Sequence, residues 1–532
     1  MITSLAQRSQ ENSAGRLARL SLKHDWMIGI GLFLLGVLSR LPFPGRILYH
    51  WDSVNFAFSL QHFDVAADQP QMPGYILYVF LVRLVNVMFN DAQLAMVSIS
   101  IVSSGLAIAC LYLLGLTMFN RRVGLLAALL LASSPLFWFY GEIALPHSLD
   151  AFVVIITVWL LYRVRQGKVA LAIPAAVLLC LAGGLRPQTE VFLAPLALFV
   201  GSRLGWRRSL GAMVTLIVVN LAWLVPLVWL TGGPSHYLEV IRQFYLAYNT
   251  TTSVVSGGGL WGLARNLNKL GMYTLYGWGL ALIPATIGAI KALRKLKVTL
   301  PRNVNFWFML LWILPATAYY TFIHMGQQGL VFVFLPALLL LGSAGIYYLT
   351  WPRPLYRQLV TAALVIGNCA IFVLAPTYPL GGDRPKLLTT DTLRQHDTYY
   401  LSRIEAIRQN FLPAHTVLLS SEWRFPQYYL PDYALATYDI GARWEVNEGQ
   451  PSVPNKAWLD GMTMGLSPDR TGSFYVILLD AELTPFNKSV DREAQLQLPD
   501  GQQLTYMRFS SQERLYLSPQ SFGIVSAVTT TQ

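Results

Sequence analysis

The sequence predicts an α-helical polytopic membrane protein carrying a C-terminal extracytoplasmic α/β domain. Three observations lead there. Of 532 residues, 54% are hydrophobic and only 12% charged, against about 25% charged in an average soluble domain. The apolar residues come in long blocks, such as Gly124–Leu131, Ala151–Leu161 and Val331–Leu341, and these blocks stop near residue 376. Charge is divided in the same way: residues 1–376 hold 26 Lys+Arg and 10 Asp+Glu, whereas residues 377–532 hold 13 and 17.

The basic residues of the first part sit in short clusters between apolar stretches, the pattern of cytoplasmic loops. A nucleic-acid binder would gather them on one soluble face, so the distribution argues against nucleic acid as a partner. Residues 1–25 are polar and basic (Arg8, Arg16, Arg19, Lys23) and are followed by an apolar run from Trp26 to Leu41. Pro42-Phe43-Pro44 follows that run, not a small-residue cleavage site, which favours a first membrane helix with a cytoplasmic N-terminus over a cleaved signal. The cysteines Cys110, Cys180 and Cys369 all lie in apolar stretches, so they read as small buried hydrophobes and not as a disulfide framework or a metal site.

The basic clusters at the N-terminus, Arg121-Arg122, Arg163–Lys168, Arg203–Arg208, Lys291–Arg302 and Arg353–Arg357 should share the inner side. Two crossings should separate each consecutive pair. Between Lys23 and Arg121, however, three apolar stretches occur: 26–41, 73–89 and 93–118. The middle one opens at Pro73-Gly74, carries Arg83 and is short of the ~20 residues a span needs, so it is expected to lie in the outer interface. The other spans are expected near 123–140, 146–162, 169–185, 189–202, 210–230, 270–290, 304–323, 329–350 and 357–376, about eleven helices in all. The membrane domain then covers 26–376, with outer loops 42–92 and 231–269. Within residues 1–376 the inner side receives 19 basic and 2 acidic residues and the outer side 7 and 8. The tail, 377–532, is extracytoplasmic, with a helix over Tyr399–Asn410 and strands over Thr416–Ser420 and Phe474–Leu479.

The expected outer face collects the residues that could carry chemistry. The first loop reads His50-Trp51-Asp52-Ser53, then Asn55-Phe56-Ala57, and ends Asp68-Gln69-Pro70-Gln71-Met72-Pro73-Gly74-Tyr75. Asp52 stands at the start of an interfacial helix, as either an N-cap or a carboxylate held at the lipid–water boundary. Asp64 and Asp68 read as surface or capping residues. A second outer segment, Phe137-Trp138-Phe139-Tyr140-Gly141-Glu142-Ile143-Ala144-Leu145-Pro146-His147-Ser148-Leu149-Asp150, offers interfacial aromatics, Glu142 as a solvated acid or a working one, and His147. Asp150 falls just inside the next helix, where a carboxylate is costly unless paired or functional. Arg186, with Gln188 and Glu190, and the turn His324-Met325-Gly326-Gln327-Gln328 complete the set. Arg186 could pair with Glu190 or hold a phosphate, a role guanidinium suits; Arg265 and Lys269 are its rivals.

These segments resemble a known family. An apolar helix, an outer loop with Trp-Asp-Ser-x-Asn-x-Ala and then Gln-Pro-x-x-Pro-Gly-Tyr-x-Leu-Tyr are similar to C-type (GT-C fold) glycosyltransferases, within the protein O-mannosyltransferase and aminoarabinose transferase superfamily (glycosyltransferase family 39-like). Ser134–Ala144 and Ala182–Arg186 are similar to further recurrent segments there. The resemblance covers roughly residues 25–200. It implies a multi-pass enzyme of the plasma membrane that uses a polyprenyl-phosphate sugar donor and a lipid, glycan or protein acceptor on the extracytoplasmic face. The family's catalytic carboxylate matches Asp52, and its outer carboxylate after the third crossing most nearly matches Glu142. Two departures stand out. Ser53 replaces the second acid often found after the first, and Gln71-Met72-Pro73 replaces a Pro-Pro motif preceded by a basic residue or His.

Such a transfer needs a base for the acceptor, cations for the departing phosphate and a site at the bilayer boundary. Asp52 and Glu142 are the candidate catalytic acids. Arg186, Arg265 and Lys269 are the candidate phosphate contacts. Trp51, Gln71, Tyr75, Trp138, Tyr140, His147, Gln188 and His324 are the candidate substrate contacts. No cofactor is implied, and dependence on a divalent metal stays open. A polytopic transporter, a lipid-linked glycan ligase or polymerase, and an assembly protein with a partner-binding tail are the alternatives. Asn249-Thr250-Thr251 and Asn487-Lys488-Ser489 match the N-glycosylation triplet.

Overall fold

The computed structural model describes residues 24–295, 304–350, 353–377, 387–438, 457–459, 466, 472–518 and 521–526. The described residues fall into two compact units. The first, residues 24–45, 59–377 and 387–391, is a helix bundle. The second, residues 46–58 and 392–526, is an α/β domain.

In the bundle, α1 (24–40) is followed by α3 (Ile76–Phe89), α4 (Ala92–Met118), α5 (Arg121–Ser133), α6 (Pro135–Gly141) and α7 (His147–Arg165). Next come α8 (Ala172–Leu185), α9 (Pro187–Gly201), α10 (Trp206–Leu230), α11 (Pro234–Thr252), α12 (Gly259–Trp278), α13 (Leu282–Lys295), α14 (Val304–Phe322), α15 (Leu335–Leu349) and α16 (Pro354–Leu374). The intervening α2 (Trp51–Ser59) belongs almost wholly to the other unit. Among the described residues, α4, α7, α10, α16 and the stretch Val254–Lys291, which runs through α12 into α13, are long and apolar enough to cross a membrane, and the bent pair α5–α6 makes a sixth if it is one span. Other expected spans are built from shorter or broken pieces. The stretch expected at 123–140 bends by 63° between α5 and α6. There Pro135 cannot donate a backbone hydrogen bond, and it pushes Ser134 out of the helical region (ψ 117°). The stretch expected at 270–290 lies within Val254–Lys291 and is interrupted at Gly279, which has φ +56°. The segment 231–269, read as an outer loop, is largely helical, as α11 and the first half of α12.

Helix directions follow from contacts at their ends. At the start of α1, Asp25 Oδ1 accepts from Tyr112 Oη (2.8 Å), late in α4, and from Arg121 Nε (2.7 Å), at the start of α5. Beyond the other end of α1, Gln93 Nε2 at the start of α4 donates to Gly45 O (2.7 Å), and Arg40 Nη2 donates to Ala132 O (3.0 Å) near the end of α5. Thus α1 and α4 run antiparallel, and the chain makes no net crossing through α3. One face of α3 is buried (Ile76, Val79, Val82), while Phe80, Leu84, Val87 and Met88 are exposed. At 14 residues it is also short for a span.

Three crossings are made glycine against glycine. A Cβ on Gly36 would lie 2.7 Å from Gly105 Cα, one on Gly115 would lie 2.5 Å from Gly124 Cα, and one on Gly288 would lie 2.3 Å from Gly345 O. In a bilayer, where lipid tails are as apolar as the helices, this close approach supplies the packing that drives association.

The α/β domain has a five-stranded sheet in the order β2-β1-β4-β6-β5 and a three-stranded sheet β3-β7-β8. Its strands are β1 (Thr416–Ser420), β2 (Ala434–Thr437), β3 (Ala457–Leu459), β4 (Ser473–Leu478), β5 (Glu493–Gln497), β6 (Gln503–Ser510), β7 (Glu513–Ser518) and β8 (Ser521–Ser526). β1 is parallel to both β2 and β4; β6 pairs antiparallel with β4 and β5. Alternation along β1 divides the core. Val417 and Leu419 pack with Met507, Phe509 and Leu483, whereas Leu418 packs on the other face with Ile404 and Ile407 of α17 (Thr390–Asn410) and with Leu430, which follows α18 (Arg424–Tyr429).

Candidate functional site

Every residue from Leu131 to Asp150 is buried. The sequence placed part of this run, including Trp138 and Tyr140, at the outer membrane interface; the structure buries its side chains. The α5–α6 bend turns the chain inward, and Glu142, just past α6, is fully buried. Its Oε1 accepts from Trp138 Nε1 at 2.9 Å, an i, i+4 pair. Trp138 stacks on Phe372 at 4.8 Å, and the Arg40 guanidinium lies 5.1 Å from the Trp138 ring. Burial pushes the Glu142 carboxyl up, against the opposing pull of Arg40 and the Trp138 hydrogen bond. The reading of Glu142 as a solvated loop acid is therefore corrected.

His147 opens α7 with its Nε2 2.7 Å from Gln327 Oε1 and its ring 5.0 Å from that of Tyr140. Gly329 closes this group: a Cβ there would lie 2.6 Å from His147 Cγ and 2.7 Å from Tyr140 Cε1.

One turn further along α7, Asp150 is paired, as a carboxylate in an apolar helix must be. Its Oδ2 accepts from Arg186 Nη1 (3.2 Å) and its Oδ1 from Thr189 Oγ1 (2.8 Å), while Arg186 Nη2 donates to Tyr320 Oη (3.3 Å). The partner of Arg186 is thus Asp150. Glu190 instead accepts from Asn220 Nδ2 at 2.7 Å. Tyr75 acts electrostatically on Arg186, and Gln71 and Gln188 are half-buried nearby in sequence.

A second cationic group lies on α12. Arg265 and Lys269 stand one turn apart; burial, and after it these two cations, lower the pKa of His324, beyond the end of α14, to about 3. His324 Nδ1 lies 2.9 Å from Thr252 Oγ1. Asn266 organises the group: its Nδ2 donates to Thr252 O (3.0 Å) and Thr321 O (3.3 Å), and its Oδ1 accepts from Arg265 Nη1 (3.1 Å) and Met325 N (3.2 Å). Sequence reasoning named Arg265, Lys269 and His324 but missed Asn266, Thr252, Thr189 and Tyr320, which have no local signature.

Asp52 lies in the α/β unit, in the first turn of α2, half-buried, as is Trp51. It is not the cap. His50 caps this helix, its Nδ1 accepting from Asp52 N (3.1 Å) and its carbonyl from Ser53 N (2.8 Å). An accepting Nδ1 requires a neutral ring, and burial, Arg424 and His396 lower the His50 pKa to about 3. Asp64 does cap, accepting from Ala66 N at 2.9 Å. Asn487 of the second glycosylation triplet is buried, its amide bonded to Glu493 Oε1 (2.7 Å), so it does not suit a glycan. The Asn249 side chain lies outside the described residues. Among the described residues, no group of three or more His, Cys, Asp or Glu is placed to hold a metal ion.

Residues 68–230 match a family model described as dolichyl-phosphate-mannose-protein mannosyltransferase. No curated protein sequence matches the chain. Among solved structures, the chain is similar to ArnT from Cupriavidus metallidurans bound to undecaprenyl phosphate, at 12% identity and a TM-score of 0.55, over 91% of this chain and 97% of that one. The apo state of the same protein matches at 12% identity and a TM-score of 0.53, over 93% and 99%. An oligosaccharyltransferase from Archaeoglobus fulgidus matches at 13% identity and a TM-score of 0.45, over 77% and 64%. The fold is therefore the GT-C fold that the resemblance implied, a helical membrane bundle with a C-terminal α/β domain.

Proposed function

We propose that the chain is a membrane glycosyltransferase that moves a sugar from a polyprenyl-phosphate donor to an acceptor hydroxyl or amine on the extracytoplasmic face. The observation that carries this reading is the pair of cations Arg265 and Lys269, one turn apart on α12 and both beside His324, in a bundle built mainly of apolar helices. A lipid phosphate needs such cations, and the bundle shares its fold with a protein solved with undecaprenyl phosphate bound.

Asp52 is the general base. It takes the proton from the acceptor as the acceptor oxygen or nitrogen bonds to the anomeric carbon. The bond from that carbon to the phosphate oxygen breaks, and the phosphate keeps the electron pair. Arg265 and Lys269 receive the resulting phosphate charge. Arg186 is held by Asp150 and anchors the helix ends beside them. Glu142, buried and bound to Trp138, holds the α6–α7 corner in place. Trp51, Gln71, Tyr75 and Gln188 keep partial exposure and are the proposed sugar and lipid contacts. Trp138, Tyr140 and His147, also candidates from the sequence, are buried within the bundle.

The test is to reconstitute the purified protein in vesicles with a panel of polyprenyl-phosphate sugars and follow the release of polyprenyl phosphate with labelling of an acceptor. Covalent transfer is expected. Movement of substrate across the bilayer with no transfer from any donor would overturn the reading in favour of a transporter.

A further inference from the structure

The α/β domain does more than follow the bundle in sequence. Its five-stranded sheet has a switch point. The connection after β1 leads through α18 on one face, whereas the connection after β4 leads to the 3-10 turn Ala481–Phe486, whose Leu483 packs on the other. Open α/β sheets hold their ligands outside the carboxyl ends of the strands at such a point. Here Asp480, after β4, braces the loop after β1, its Oδ2 accepting from Ser420 Oγ (2.8 Å), Ser421 N (2.7 Å) and Ser421 Oγ (2.9 Å). That loop ends in Arg424, which bonds Glu422 Oε1 through Nη1 (2.8 Å) and Asn55 Oδ1 through Nε (2.8 Å). Asn55 lies on α2, three residues from Asp52.

The same short segment is held at further points. Arg46 N donates to Asp397 Oδ2 (2.8 Å) and Leu48 N to Tyr429 Oη (2.8 Å). Tyr49 packs on the His396 ring at 4.7 Å, and Phe58 packs between Trp423 (6.2 Å) and Tyr428 (5.4 Å). Ser53, Val54, Asn55 and Phe56 are buried.

We infer that the α/β domain is the positioning device for the Asp52 carboxylate: it clamps the segment 46–58, on α2 through Arg424 at the switch point and ahead of α2 through Tyr429 and Asp397. The inference rests on Asp52 being the base. Backbone bonds to side chains fix where the helix begins, and the Arg424–Asn55 bond fixes its rotation, which sets the direction in which Asp52 points. Arg424, Tyr429 and Asp397 are positioning residues, since each acts through the segment that carries Asp52.

The experiment uses the full-length protein and three variants: Asn55→Leu, Tyr429→Phe and Asn55→Asp. Two readouts are taken, amide hydrogen exchange of residues 46–58 and the separate kcat and KM of transfer. Asn55→Leu and Tyr429→Phe are expected to speed exchange in that segment and to lower kcat by about tenfold, since a shift of about 1 Å in a reacting group costs up to ~10²-fold. KM for the donor is expected to stay within about twofold. Asn55→Asp keeps an acceptor for Arg424 and is expected to restore both readouts. Unchanged exchange in Asn55→Leu would overturn the clamp, and faster exchange with unchanged kcat would overturn its role in positioning. A wild-type protein that transfers no sugar would instead sink the functional reading, and the exchange arm would still report on the clamp.

Discussion

Arg186 and Asp150, 36 positions apart, form an ion pair of 3.2 Å in which both side chains are at least 95% buried. Thr189 and Tyr320 complete it, so the pair joins the ends of four helices. Removing one partner strands the other charge in the bundle. Arg186→Met is therefore expected to destabilise the bundle by about 3–5 kcal/mol. The double change Arg186→Met with Asp150→Asn is expected to recover much of that loss. Thermal unfolding in detergent of the two single variants and the double variant checks this; strict additivity would contradict it.

Asp52→Asn removes the base without touching the backbone bond to His50. Transfer is expected to fall by about 10²–10⁴-fold with the folded yield and melting temperature unchanged. A steady-state assay in vesicles measures this, and retained activity would remove Asp52 from the reaction.

Arg265→Gln and Lys269→Gln each remove one cation from the α12 group. Hydrogen bonds to charged groups contribute roughly 1.5–3 kcal/mol, so each change is expected to raise the donor KM by about tenfold or more. Titrating initial rates against donor concentration for each variant decides it. An effect on the acceptor KM alone would assign the group elsewhere.

His50 and His324 both have pKa values lowered from 6.5 to about 3. Unfolded, each binds a proton as pH falls below about 6.5, and the folded protein refuses it until about 3. Stability should therefore be full above pH 6.5 and decline as pH falls through that window. Solvent reaches part of the His50 ring, which is 24% exposed, and this moderates its share. His50→Asn keeps a capping acceptor and should flatten the decline between pH 7 and 4 in unfolding curves. An identical slope would show that His50 takes up its proton in the folded state.

Gly329→Ala would drive a methyl group against His147 and Tyr140. Overpacking of this kind costs about 1–3 kcal/mol, seen as a lower melting temperature.

Hydropathy and charge made the bundle legible, and the oddity of Arg83 within a short apolar stretch marked α3 as different. Thr416–Ser420 was legible as a strand because the run Thr-Val-Leu-Leu-Ser is apolar and β-branched and comes shortly after Pro413; the structure buries all of it. β5 to β8 were not, since their polar and apolar residues mix with weak alternation. Among the candidate site residues, Asp52, Glu142 and Arg186 stood out as charges beside apolar runs. Their surroundings did not. Nothing local ties Asn55 to Arg424, 369 positions away, so the attachment of residues 46–58 to the tail could not be read. Burial of Glu142 could not be read either, because it depends on a 63° bend whose direction Pro135 leaves open.

The glycine seams at Gly36/Gly105, Gly115/Gly124 and Gly288/Gly345 also fix the register of the helices along one another. Sliding α4 by one residue against α1 would bring Ser104 or Leu106 to a place with no room for a side chain. A thinner or thicker bilayer must then be met by tilting these helices together or by distorting the surrounding lipid, and the ends that carry the charged clusters keep their spacing whatever the membrane.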